Sequence, residues 1–246
     1  MRRVKRMKKL GIGISYFKEL IKGNYIYVDK TEYIYKLINS GKYYFLSRPR
    51  RFGKSLLLST IRYLFEGKKE LYKGLYIEEK WNWEERYPVI RIDFAEVQVK
   101  NVDELEKELK ATIIETGRKY GYEYNKEYTI NRNLRLLIER IYEITKKQVI
   151  ILVDEYDKPI LDNIEKREEV ERIRELLKGF YTTLKGLDKY IYSYNIGITY
   201  LVIKFVLVTG VNKFSKVSLF SGLNQLKDIS LDERYGNICG YTQKEL

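Results

Sequence analysis

Residues 149–153 read VIILV, five apolar positions in succession, and no other stretch constrains the fold as strongly. A strand with one wet face alternates, whereas an unbroken apolar strand has to be covered on both sides, as in a sheet packed between two layers of helices. Helical patterns surround this run. Leu105, Leu109, Ile113 and Ile114 fall at helical spacing within 102–120, a second amphipathic stretch runs over 133–146, and 165–189 interleaves charges with Val170, Ile173, Leu176, Leu177 and Phe180. Two further strands are predicted, at 89–94 (VIRIDF) and 204–209 (KFVLVT). Alternating strands and helices predict an α/β fold with a mostly parallel sheet.

Asp154 and Glu155 follow the apolar run directly, at the carboxyl end of a strand, where open α/β sheets place their ligands. Taken alone, the pair could equally open a loop or cap the helix after Pro159. Residues 43–60 (YYFLSRPRRFGKSLLLST) supply a second element of strand, polar loop and helix. There Gly53 lets the backbone close on an anion, Lys54 can reach the β- and γ-phosphates, and the Ser55 hydroxyl suits Mg²⁺. The helix that opens at this point aims its free N–H groups and positive dipole end at the same anion. The full pattern G-x-x-x-x-G-K-[ST] asks for glycine where Arg48 stands, so the tripeptide by itself also fits a plain basic loop. Paired with the acidic strand, the two stretches read as Walker A and Walker B. Ser55 and Asp154 hold Mg²⁺, and Glu155 orients the attacking water.

With these stretches the chain resembles the AAA-ATPase-like family of prokaryotic P-loop proteins, whose domain is commonly fused to a C-terminal PD-(D/E)XK nuclease. The resemblance is carried by residues 11–17 (GIGISYF), 27–31 (YVDKT), 46–57 (LSRPRRFGKSLL), 92–94 (IDF), 153–159 (VDEYDKP) and 209–221 (TGVNKFSKVSLFS). Arg48 belongs to that family's own pattern. The resemblance implies a three-layer P-loop NTPase sandwich with ATP and Mg as cofactors. Pro49, Arg50, Arg51, Phe52, Gly53, Lys54 and Ser55 would cradle the triphosphate, with Lys54 and Glu155 as the catalytic pair. Thr209, closing the strand before Gly210, would sense the γ-phosphate, with Asn212 as second candidate and a plain turn as the bland reading. The glycine- and tyrosine-bearing stretch 11–33 would either wall the adenine or pack as a strap over the sheet. Arg50 and Arg51 would stabilise charge in cis or bridge to Asp157 or Glu155. The family's pattern runs more directly into KFVLVT, so residues 190–203 read as an inserted hairpin turning at 195–197, or as one longer strand.

Composition bounds the function classes. The chain has no histidine, which excludes imidazole acid–base chemistry and His-containing zinc sites, and its one cysteine, Cys239, excludes an internal disulfide. No run approaches 18 apolar residues, so no membrane partner and a cytoplasmic location are expected. Residues 1–10 read as a basic tail and 11–246 as one P-loop domain, with any nuclease domain outside this chain, because Lys158 directly follows Asp157 and breaks the nuclease signature. Forty-seven basic residues against 34 acidic ones give a net charge of +13, partly assigned to Arg48, Arg50, Arg51 and Lys54 facing phosphates. The remaining cations alternate with glutamate in sequence, so nucleic acid stands as an alternative partner only. The reading is Mg-dependent ATP binding and hydrolysis. The alternatives are an ATP-dependent nucleic-acid processing module and a nucleotide-held interaction switch with negligible turnover. Oligomeric state is not read from the sequence.

Overall fold

The computed structural model describes residues 8–96, 98–187, 201–212, 220, 223 and 225–245, together with the backbone of 191–193 and 198–200. Its sheet has five strands in the order β2 (Val89–Asp93), β3 (Val149–Asp154), β6 (Ile203–Gly210), β1 (Tyr43–Ser47) and β7 (Lys227–Asp228), every pair parallel. The acidic strand and the strand before the GKS loop are therefore separated by β6.

β3 shows why the sheet must be covered twice. Val149, Ile151 and Val153 enter one core, and Ile150 and Leu152 enter the other. Successive strand residues point to opposite faces, so both faces of this run are apolar and both are buried. The first core is closed by α4 (Val102–Lys119), α5 (Ile130–Thr145) and α7 (Arg167–Gly186), through residues such as Leu109, Leu137 and Leu177. The second is closed by α1 (Phe17–Lys22), α2 (Thr31–Ser40) and α3 (Lys54–Phe65), through Phe17, Ile34 and Ile61. Three layers result.

Local signals place the helix ends. Asn101 caps α4 by accepting the Glu104 N–H at 2.9 Å, and Thr129 caps α5 by accepting that of Arg132 at 3.3 Å. α5 thus begins at Ile130, three residues earlier than the apolar spacing alone suggests. Asp29 caps α2 from one position outside the cap residue Lys30. Its carboxylate accepts from the Thr31 N–H at 2.8 Å, the Thr31 hydroxyl at 2.6 Å and the Tyr76 N–H at 2.7 Å. A short α6 (Lys158–Leu161) follows the acidic strand.

The extra segment before β6 is a hairpin, with β4 (Ile191–Ser193) antiparallel to β5 (Ile198–Tyr200). Its expected turn at 195–197, the basic residues 1–7 and residues 213–219 of the family-like stretch lie outside the described residues. Among the described residues no helix is long and apolar enough to cross a membrane.

Candidate functional site

The loop from β1 to α3 is built to present N–H groups. Ser47 is tied down where the loop leaves the sheet, its amide donating to Ser230 Oγ at 2.8 Å and its hydroxyl to the Val211 carbonyl at 2.8 Å. The Arg48 amide donates to the Gly210 carbonyl at 3.1 Å. Beyond that anchor, no described acceptor takes the backbone N–H groups of residues 50–56, a run that ends where the Leu57 amide bonds the Gly53 carbonyl. Arg51 (φ 62°) and Gly53 (φ 91°) both sit in the left-handed region, which turns neighbouring amides toward one side as an anion-binding concavity. Glycine suits 53 for its φ alone, since an added Cβ would meet nothing closer than 3.8 Å.

Two cations of this loop are held by backbone carbonyls. Lys54 is buried, not exposed, and its ammonium donates to the carbonyls of Arg48 (3.0 Å) and Pro49 (3.1 Å), which leaves one of its three N–H donors for a ligand. Arg48 turns away from the loop concavity. Its guanidinium donates to the carbonyls of Ser47 at 3.0 Å and Ser230 at 2.6 Å, with longer bonds to Tyr235 and Gly236. An arginine in place of the pattern's first glycine thus fastens the loop to the chain's C-terminal segment.

Asp154 ends β3 wholly buried. Its Oδ1 accepts the Thr209 hydroxyl at 2.7 Å, while Oδ2 has no hydrogen-bond partner. Thr209, also fully buried, therefore positions the carboxylate, and this is where the structure puts the residue expected to face the γ-phosphate. Asp93 is the registered neighbour of Asp154 on β2 and is hydrogen-bonded by Arg91. Burial pushes the Asp93 carboxyl up despite the pull of Arg91, and the Asp154 charge adds to the rise. Glu155 follows with φ 49°, a left-handed conformation for a residue with a side chain.

Asp157, buried two residues on, pairs with no arginine among the described residues. It accepts the amides of Val211 (3.2 Å) and Asn212 (2.7 Å) and so clamps the turn after β6. Asn212 contributes its backbone here, and its carbonyl accepts the Tyr156 hydroxyl at 2.9 Å. A Cβ on Gly210 would fall within the Tyr156 ring, so the turn admits only glycine at that position.

Part of this set walls a cavity of about 830 Å³, whose lining does not include Asp154, Thr209 or Asp157. Arg51, Phe52, Gly53, Lys54, Ser55 and Glu155 line it, whereas Pro49 and Arg50 are exposed and stand outside the lining. Residues 11–15 and 26–28 form the apolar wall, so the N-terminal strap does face the cavity. The remaining wall, residues 238–241, had no signal in the sequence. It is held down by Lys30, whose ammonium bonds both carboxylate oxygens of Glu245 at 2.7 and 2.8 Å. A Cβ on Gly240 would stand 2.7 Å from the Phe52 ring, which records how closely this segment covers the loop. Burial pushes the Cys239 thiol up to about 12, against the pull of Arg48, Lys54 and Lys30, so it is no nucleophile.

Residues 11–220 match the family described as Predicted AAA-ATPase. Over 240 residues the chain is 41% identical to an uncharacterized protein in the vnfD 5′ region of Azotobacter chroococcum mcd 1. The match covers 97% of this chain but 44% of that protein, so the chain spans less than half the length of this relative. No solved structure matches significantly.

Proposed function

Because the chain belongs to the Predicted AAA-ATPase family, we propose that it binds Mg²⁺-ATP in the cavity between residues 50–56 and 238–241, and hydrolyses it. The observation that carries this reading is the run of backbone N–H groups over residues 50–56 with no acceptor among the described residues, at the N-terminus of α3, beside the Lys54 ammonium. Seven unpartnered amides in one loop, a helix N-terminus and a lysine are suited to a polyphosphate.

The donor set also fits the metal. The Asp154 Oδ2 is a buried carboxylate oxygen that accepts no hydrogen bond among the described residues, and the Ser55 hydroxyl makes none there either. Both are hard oxygen donors of the kind Mg²⁺ takes. When bound, the ion's contribution is to neutralise phosphate charge. The chain's own residues do the rest. Lys54 brings its remaining N–H to the phosphates, Thr209 fixes the Asp154 carboxylate, and Glu155 holds the attacking water and accepts its proton.

Calorimetry with ATP, with and without Mg²⁺, tests the assignment, and Lys54→Ala is the decisive variant. Its affinity for Mg²⁺-ATP is expected to fall at least about 100-fold, because a charge-assisted contact to phosphate is lost. Since Lys54 is buried, the same change is expected to cost about 1–3 kcal/mol of stability in urea denaturation. A folded variant with unchanged nucleotide affinity removes the reading.

A further inference from the structure

Arg91 is a partly buried cation that the mechanism above leaves without a role. It lies on β2 two residues before Asp93, on the face that also carries Asp154. Its guanidinium bonds Asp93 and stands 4.0 Å from Asp154 Oδ2, the carboxylate oxygen that has no hydrogen bond. Its Nε is also buried without a partner, and its terminal carbon lies 5.0 Å from the centre of the Tyr16 ring. Tyr16 is held in place from the other side, its hydroxyl donating to Glu96 at 2.7 Å. The side chains of Arg91 and Asp93 are 14% and 17% exposed and that of Asp154 is 0%, so water screens these charges poorly.

The charge balance of this cluster decides which cation it accepts. Two carboxylates alone present a charge of about −2, which draws a divalent ion whether or not nucleotide is there; with the guanidinium the sum is about −1. The protein's own donors are few. Among the described residues no group of three or more His, Cys, Asp or Glu side chains converges on a point. A metal held by Asp154 and Ser55 therefore needs phosphate oxygens to complete its shell.

We propose that Arg91, paired with Asp93, is a positioning residue that balances the acidic ends of β2 and β3, so that Asp154 takes a divalent cation together with the nucleotide and not ahead of it. The proposal rests on the reading of Asp154 as a metal-holding group. In this arrangement Arg91 supplies the charge that restrains the orphan Asp154 oxygen, and Asp93 keeps the guanidinium from closing the 4.0 Å gap.

The test uses Mn²⁺ alone as probe, followed by electron paramagnetic resonance without nucleotide. The parent chain is expected to bind it weakly. Arg91→Gln is expected to bind it at least about tenfold more tightly, because an opposing charge 4 Å away has gone. Arg91→Lys should return the affinity toward that of the parent, and adding Asp154→Asn to Arg91→Gln should abolish the gain. A folded Arg91→Gln with parental Mn²⁺ affinity overturns the proposal, as does a gain that survives Asp154→Asn. Should Arg91→Gln not fold, Asp93→Asn serves instead. It frees Arg91 to pair with Asp154 and is expected to raise the Mg²⁺ concentration needed for ATP binding by about tenfold. No change in that requirement overturns the proposal. If the parent's ATP affinity shows no Mg²⁺ dependence at all, the reading of Asp154 fails instead, and the two failures are distinct.

Discussion

Glu155 holds a φ of 49°, which costs a residue with a Cβ about 1 kcal/mol, and it lines the cavity in that conformation. Such strain persists where the surroundings fix it, here by Asp154 bonded on one side and Tyr156 bonded to the β6 end on the other. Glu155→Gln keeps shape and backbone but cannot take a proton from water. It is expected to leave Mg²⁺-ATP affinity unchanged and to slow phosphate release by about 10²–10⁴-fold, read by single-turnover kinetics beside calorimetry. Normal turnover in this variant would remove Glu155 from the role of proton acceptor. Thr209→Val, nearly isosteric, removes the donor to Asp154 and leaves a second buried carboxylate oxygen unpaired. A loss of about 1–3 kcal/mol in urea denaturation and a higher Mg²⁺ concentration for ATP binding are expected. That Gly53, Lys54, Ser55 and Glu155 stand around one cavity was legible, because their spacing is local and their chemistry is tied to residue type. The burial of Lys54 was not, since it depends on where two loop carbonyls point. Nor was the Arg91 cluster, which exists only once β2 registers against β3.

At the scale of elements, the helices and inner strands were readable because each repeats an apolar period over many residues. β7 was not. A strand of two residues, Lys227–Asp228, has no period to detect and is fixed by pairing with Tyr44 and Phe45. The segment after it was equally silent, because its anchor, Lys30 with Glu245, joins positions 215 residues apart. That anchor carries a pH signature. Lys30, and then the Thr242 amide, hold the Glu245 carboxyl down to about 2 from its ordinary value near 4.5. A depressed acid contributes its full stabilisation above the unfolded value and loses it as pH falls through the folded one, so the tie should weaken between about 4.5 and 2. The amide resonance of Thr242, which donates to Glu245 at 2.7 Å, is expected to titrate in that window. Lys30→Ala should move its midpoint back toward 4.5, and a midpoint that stays near 2 would show that the backbone bond alone suffices.

Over the whole molecule, the net charge of +13 is spread along the sequence, yet folding gathers part of it in a cleft of about 480 Å³. Lys68, Arg86, Lys119 and Lys147 line that cleft, while Lys147 and Lys204 both stand within 6 Å of the Tyr87 ring centre. None of these five forms an ion pair among the described residues, whereas Arg62 beside them is paired with Glu66 at 2.8 Å. The cleft lies where β2, β3 and β6 begin, and the nucleotide cavity lies where β3 ends, at the opposite edge of a parallel sheet. Lys68, Lys119 and Lys147 also stand at the carboxyl ends of α3, α4 and α5, where cations offset the negative pole of each helix, so part of this charge already has a structural task. Duplex DNA is therefore expected to bind weakly at physiological salt, in the range of about 1–100 μM, without sequence preference. Replacing Lys68, Arg86 and Lys147 together by Ala should lower the salt slope by about three, roughly one per lost phosphate contact. Saturating Mg²⁺-ATP should not compete, because the two sites share no residue. Fluorescence anisotropy across a salt series, with and without Mg²⁺-ATP, checks each point. Competition by Mg²⁺-ATP with an unchanged slope in the triple variant would move the polyanion to the Lys54 face, where Arg51 is the exposed cation lining the cavity.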